Sequence, residues 1–249
     1  MQANTLDEVI FILDQIIADC KANDSRLGYC ASLYRRMTLG VKEGIANGIF
    51  DDGARMEKLD VVFANRYFTA YDQYRKGLQP TTCWQTAFAA TQTDKLTVMQ
   101  HLLLGVNAHI NLDLGIAAAE VSTAETIQSM QKDYTRINEI IAGFFGKVQD
   151  NLTKIAFPMY FIKRIEPQRT AAVLNFSMVK ARETAWNNAL ILSETGPDGI
   201  PAVIELTDKI VCGVANKIQS PGKWLSLLLG WIRWTEGKDI EKNIGYLNE

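Results

Sequence analysis

Apolar residues recur along this chain at intervals of three and four, the spacing that gives an α-helix one continuous apolar face. The six prolines, Pro80, Pro158, Pro167, Pro197, Pro201 and Pro221, stand where that period breaks, which is where helices tolerate them. The pattern predicts helices near 5–21, 26–47, 53–76, 82–92, 95–119, 123–154, 168–194, 200–218 and 221–235. Thr5 with Glu8, Thr82 with Gln85 and Ser122 with Glu125 have capping-box spacing, and Ser220-Pro221 reads as an N-cap followed by proline at the first helical position. No stretch keeps the period of two expected of a half-buried strand. Asn47-Gly48 and Asp52-Gly53 read as a helix stop and a connector rather than hairpin turns. The expected fold is all-α: a multi-helix bundle over residues 1–249 as a single domain, built around a buried central helix at about 95–119.

That central segment contains MQHLLLGVNAHINLDLGIAAAE. It is apolar on nearly every side, as a helix enclosed by other helices must be, so Leu103 and Leu104 are expected core residues. Its polar residues are the anomaly. At about 100° per residue, His101, Gly105, His109 and Asp113 follow one slowly turning stripe, and Asn107 and Asn111 follow another. Each needs a partner if it is buried. The chain's two histidines both lie here.

Composition narrows the function classes. With 26 basic and 28 acidic residues the net charge is -2, so no global positive field argues for nucleic acid. Cys20, Cys30, Cys83 and Cys212 show no Cys-x-x-Cys spacing, which argues against a disulfide framework and a cysteine zinc site. The N-terminus meets Asp7 and Glu8 before its apolar run, unlike a secretory signal. The apolar run from Trp224 to Ile232 is nine residues, short of the roughly 20 that span a bilayer. A cytoplasmic protein with no transmembrane segment is the expectation. Phosphate loops, dinucleotide fingerprints, nucleophile elbows and H-E-x-x-H are absent from the sequence.

His109 and Asp113, four residues apart, have the spacing that lets an imidazole and a carboxylate reach one metal ion from one helix face. Asp60 and Glu183 are candidates to complete the site, and one divalent ion (zinc, manganese or iron) is the cofactor this implies. The same pair equally suits a buried polar network, or acid–base chemistry without metal. Asp60 can instead pair with Arg66 or Arg182. His101, Asn107, Asn111, Arg66, Tyr67, Arg182 and Trp186 are candidate pocket residues, the arginines for an anionic group. The asparagines also suit a helix-to-helix role, and the aromatic residues suit the core. Trp224, Trp231 and Trp234, with Lys223 and Arg233, read either as an interfacial membrane helix or as a packed C-terminal helix, with packing favoured.

The segment Leu103-Leu-Gly-Val-Asn-Ala-His-Ile-Asn-Leu-Asp-Leu114 resembles the LLGxNAHxNxDL motif of an uncharacterised bacterial family of helical proteins. DSRLGYCASLYRRMT from Asp24, FDDGARMEKLDVVFANRYFTAY from Phe50, Trp84 and ARETAW from Ala181 are similar to its other recurring blocks. The resemblance spans most of the chain and implies a helical fold with a site near His109, but no reaction. A remoter resemblance is to helical zinc-dependent phospholipase C and nuclease proteins, whose metal-binding helices present a His-x-x-x-Asp pair. It implies a metal role for His109 and Asp113. With two histidines in the chain, that role is limited to a single ion.

Two functions compete. One is a metal-dependent hydrolase of an ester or phosphoester, its ion activating a water. The other is a non-catalytic helical protein that binds an apolar small molecule or lipid-like ligand. An interaction protein would be marked by an exposed Trp224–Trp234 helix without a central pocket.

Overall fold

The central helix runs from Val98 to Glu120 as α5 (Val98–Ala108), a π-helical segment (His109–Leu114) and α6 (Gly115–Glu120). The computed structural model describes residues 1–156 and 167–249, and the side chains of all of these but 145–146 and 167–177. Pro158 lies outside the described residues. Before the central helix come α1 (Leu6–Ala22), α2 (Gly28–Ala46), α3 (Gly53–Arg75) and α4 (Thr82–Ala90). After it come α7 (Ile127–Ile155), α8 (Pro167–Glu194), α9 (Ile200–Gln219), α10 (Lys223–Thr235) and α11 (Ile240–Asn248). The described residues thus form eleven helices and no strand. The last helix, capped by the Asp239 carboxylate on Lys242 N, is one that the apolar pattern does not predict.

The central helix is long and apolar enough to cross a membrane, yet 72% of its most apolar window is buried within the protein. α2, α4 and α9 surround α5, while α3 and α8 pack on the π segment and α6. Its neighbours come in at glycines. A Cβ at Gly115 would sit 2.7 Å from the Ala185 carbonyl of α8, and one at Gly105 would overlap the Cys30 sulfur. Gly105 therefore makes room for a packed side chain of α2. Leu104 is fully buried, but Leu103, expected in the core beside it, is 37% exposed. The four cysteines are free thiols.

Several helix starts are capped by distant carboxylates rather than by local sequence. Asp208 of α9 accepts from the Thr82 and Cys83 amides at 2.7 and 2.9 Å, displacing the box expected from Thr82 and Gln85. Asp133 of α7 accepts from the Asp51 and Asp52 amides at 2.9 and 2.8 Å, just ahead of α3. Glu236 accepts from Val98 N at 3.0 Å. Each places negative charge at a helix N-terminus, where free amides and the dipole favour it. Thr5 does cap α1, accepting from Glu8 N, but the Glu8 carboxylate turns to Asn4 N. The reciprocal capping box is Thr97 with Gln100. Ser122 caps nothing, since α7 begins at Ile127, and α10 begins after Gly222 rather than at Pro221.

Candidate functional site

Asp113, 2% exposed, is the anchor of the central helix. Arg66 Nε of α3 donates to its Oδ1 at 3.0 Å, and the Trp84 indole N–H of α4 donates to Oδ2 at 2.7 Å. Both carboxylate oxygens are thus held by charged or aromatic donors from two neighbouring helices, a satisfied buried network. Arg66 also reaches Glu120 at 3.3 Å. Its guanidinium is committed to two carboxylates of this chain, so it is not a free anion clamp.

His109 begins the π segment, where i→i+5 hydrogen bonding replaces the α pattern; such turns are rare and concentrate at functional sites. Its Nδ1 lies 3.4 Å from Asp113 Oδ2. The carboxylate holds the imidazole proton on Nδ1, leaving Nε2 as an acceptor. The ring stacks on Phe63, centroids 3.5 Å apart and 7° from parallel, and meets Tyr34 edge-on at 4.5 Å. Burial lowers the His109 pKa from its ordinary value, and this outweighs the opposing pull of Asp113, so the ring stays neutral. His109 Nε2 is buried with no hydrogen-bond partner among the described residues.

That ring lines a cavity of about 180 Å³ between α2, α3, α5 and α7, which also takes in Met178 and Arg182 of α8. Its walls are mostly apolar, including Leu33, Met56, Val106 and Ile141. The exceptions are few. Asp60, Gln149, Arg182 and His109 also line it, and each has a buried polar atom, respectively Oδ2, Nε2, Nε and Nε2, with no hydrogen-bond partner among the described residues. Burial pushes the Asp60 carboxyl up to about 7, against the opposing field of Arg182. Among the described residues no ion-pair contact joins Asp60 to Arg66 or to Arg182. Arg66 goes to Asp113, while Arg182 donates from its terminal nitrogen to the Tyr134 carbonyl at 2.6 Å and lies over the Tyr134 ring at 4.4 Å. Cys30, also in the wall, is held protonated, with burial raising its thiol to about 12.

The other sequence candidates fall elsewhere. Glu183 is exposed and pairs with Lys180 at 2.6 Å on the outer face of α8, so it is not a partner for His109. His101 lies one end away, its ring 6.0 Å from Tyr29, with burial pressing its pKa down to about 4. Asn107 donates to the Val211 carbonyl at 3.0 Å and Asn111 donates to Asn107 at 2.9 Å, which ties the central helix to α9. Tyr67 is fully buried against Trp84, centroids 5.3 Å apart. Trp186 packs on Tyr134 at 4.8 Å. Among the described residues no three His, Cys, Asp or Glu side chains converge in a metal-binding arrangement. Sequence reasoning misses Gln149, whose polar side chain on an amphipathic helix gives no signal, and it treats Trp84 only as core.

A family model matches residues 6–221, a span that holds α1 to α9, the cavity and the whole Asp113 network. The chain belongs to a family of unknown function, DUF5995. No curated protein and no solved structure matches it. Within this DUF5995 chain the matched region ends before α10.

Proposed function

We infer that this protein binds an apolar small molecule, or one end of a lipid-like one, in the cavity beside His109. The observation that supports this most is the mismatch inside the cavity: apolar walls, with Asp60 Oδ2, His109 Nε2, Gln149 Nε2 and Arg182 Nε left without partners among the described residues. Specific small-molecule sites combine a mostly apolar lining with a few polar groups that orient the ligand. A ligand hydroxyl donating to His109 Nε2 and accepting from Arg182 or protonated Asp60 would satisfy groups that the protein leaves open. The volume sets a size. An apolar cavity of about 150 Å³ takes a benzene ring, so this one, at about 180 Å³, suits a single ring or a short chain.

The hydrolase reading draws on the remote likeness to zinc phospholipases, with His109 and Asp113 as ligands of one ion. It has less support, because Arg66 and Trp84 occupy Asp113 and Glu183 faces away.

Titration with n-alkanols of increasing length, followed by thermal melting, separates the two. Butanol to octanol should raise Tm saturably, with an optimum in that range, and Val106→Phe, which fills the cavity, should remove the effect. No alkanol response, together with stoichiometric binding of zinc, manganese or iron that is lost in His109→Ala, would replace the binding reading with the metal one.

A further inference from the structure

α10 reads KWLSLLLGWIRWT, and among its residues only Ile232 is buried. Trp224 is 88% exposed, Trp234 79%, Leu227 69% and Trp231 51%. With Leu228, these residues fall within an arc of about 120° at 100° per residue. The expectation that the C-terminal helix packs into the bundle is therefore corrected: its apolar stripe is exposed, and only Ile232, bordering the stripe beside Leu228, is buried. α9, joined to it through Ser220, Pro221 and Gly222, also leaves Leu206, Ile210 and Val214 exposed, at 61, 62 and 41%. Isolated exposed leucines need no explanation, but a contiguous stripe of this kind marks an interaction surface.

The charge around the stripe identifies its partner. From Ile210 to Thr235 the chain carries Lys217, Lys223 and Arg233 and no acidic residue, in a protein whose net charge is -2. Lys217 and Lys223 are exposed beside the Ser220–Gly222 turn. Three tryptophans, leucines and flanking cations on one amphipathic helix are the composition of a helix lying in the headgroup region of a bilayer. There the indole rings bury their apolar bodies and keep the N–H wet. The exposed Lys217 and Lys223 add attraction to anionic headgroups. A protein–protein face built around arginine and tyrosine anchors would look different: Arg233, the arginine of α10, donates to the Asp94 carbonyl at 2.6 Å and pairs with Glu236.

We propose that α10 docks this protein on an anionic phospholipid surface through its exposed apolar stripe. The surface is independent of the cavity reading, since it shares no residue with the cavity wall.

Vesicle flotation and tryptophan emission test it on the full chain. Phosphatidylglycerol-containing vesicles should bind the protein and shift its emission to the blue; phosphatidylcholine alone should bind it at least about tenfold more weakly, because each cation near an anionic surface contributes roughly fivefold. The exposed-site variants Trp224→Ser with Trp234→Ser, and separately Lys217→Gln with Lys223→Gln, should keep the wild-type Tm and lose about tenfold or more in vesicle affinity. Absence of binding to either vesicle would overturn the proposal. So would equal binding by the tryptophan variant, or a concentration-dependent dimer that the tryptophan variant abolishes, which would assign the stripe to contacts between copies of this chain.

Discussion

Asp113 and Asp60 are both buried carboxyl groups, 2% and 8% exposed, and both bear on Tyr34, yet their surroundings are opposite. Asp113 receives an arginine and an indole N–H and orients a histidine. Asp60 has an oxygen in an apolar wall with no partner among the described residues. The first holds three helices together. The second carries a desolvation cost that the field of Arg182 offsets only in part, which is the mark of a group kept for something other than stability.

Removing the partnered carboxylate should have the largest effect. Asp113→Ala leaves the Trp84 N–H buried without an acceptor and the Arg66 charge half-enclosed, and should cost about 3–5 kcal/mol, the range for breaking a buried pair by deleting one member. Urea unfolding of the variant measures this. A loss below about 1 kcal/mol would mean that the network follows the fold rather than holding it.

Asp60→Asn should act in the other direction, with a gain that grows as pH rises above about 4 and levels off above about 7. The carboxyl sits at 3.8 when unperturbed and at about 7 when buried. Below the first value both the folded and unfolded states hold the proton, and above the second neither does; between them the folded state binds it more tightly, so stability falls as pH rises. Asparagine has no proton to lose. Relative to wild type, the variant should gain on the order of 2 to 4 kcal/mol on going from pH 4 to pH 8. The comparison must be variant against wild type, because other groups shape the whole curve. Burial raises Glu236 to about 7 as well, while the lowered pKa values of His101 and His109 destabilise the fold as pH falls below the ordinary histidine value. A flat difference between Asp60→Asn and wild type would place Asp60 in contact with water or with a charge, and end its contrast with Asp113.

The helical fold is legible in the sequence because the apolar period is a local signal, and the central helix because it lacks a polar side. His109 with Asp113 is legible for the same reason: four residues on one helix fix their proximity. What joins different helices is not. Read from the sequence, Arg66 suits an anion clamp and Trp84 suits the core, whereas they meet at Asp113 from α3 and α4. Glu183 is misassigned because an amphipathic stretch shows that it has two faces and not which of them a given residue takes. The box at Thr82 gives way to Asp208, 126 positions along the chain, a partner that no local pattern contains. The π turn at His109 leaves no trace in the spacing, since side chains four apart are neighbours in either kind of helix.

The smallest effect is the most direct reading of how His109 stands between the two carboxyl groups. Burial and Arg66 lower its pKa, while the hydrogen bond and charge of Asp113 raise it. Asp113→Asn keeps a side chain of the same shape but removes the charge, so Arg66 and burial then act unopposed and the ring should become still harder to protonate. The chain has two histidines, so ring-nitrogen NMR shows two sets of signals, and His101→Gln assigns them. In wild type His109 should titrate below its ordinary value of about 6.5, with the proton on Nδ1 and Nε2 unprotonated. In Asp113→Asn it should titrate lower still or remain neutral throughout the range in which the protein stays folded. Because the neutral amide of that variant no longer holds the tautomer with a charge, the Nδ1 preference should weaken. A wild-type His109 that titrates at or above about 6.5 would require water or a carboxylate at Nε2. The cavity would then be a hydrated polar site in which Asp60 and Asp113 serve the same histidine, and the difference between them would disappear.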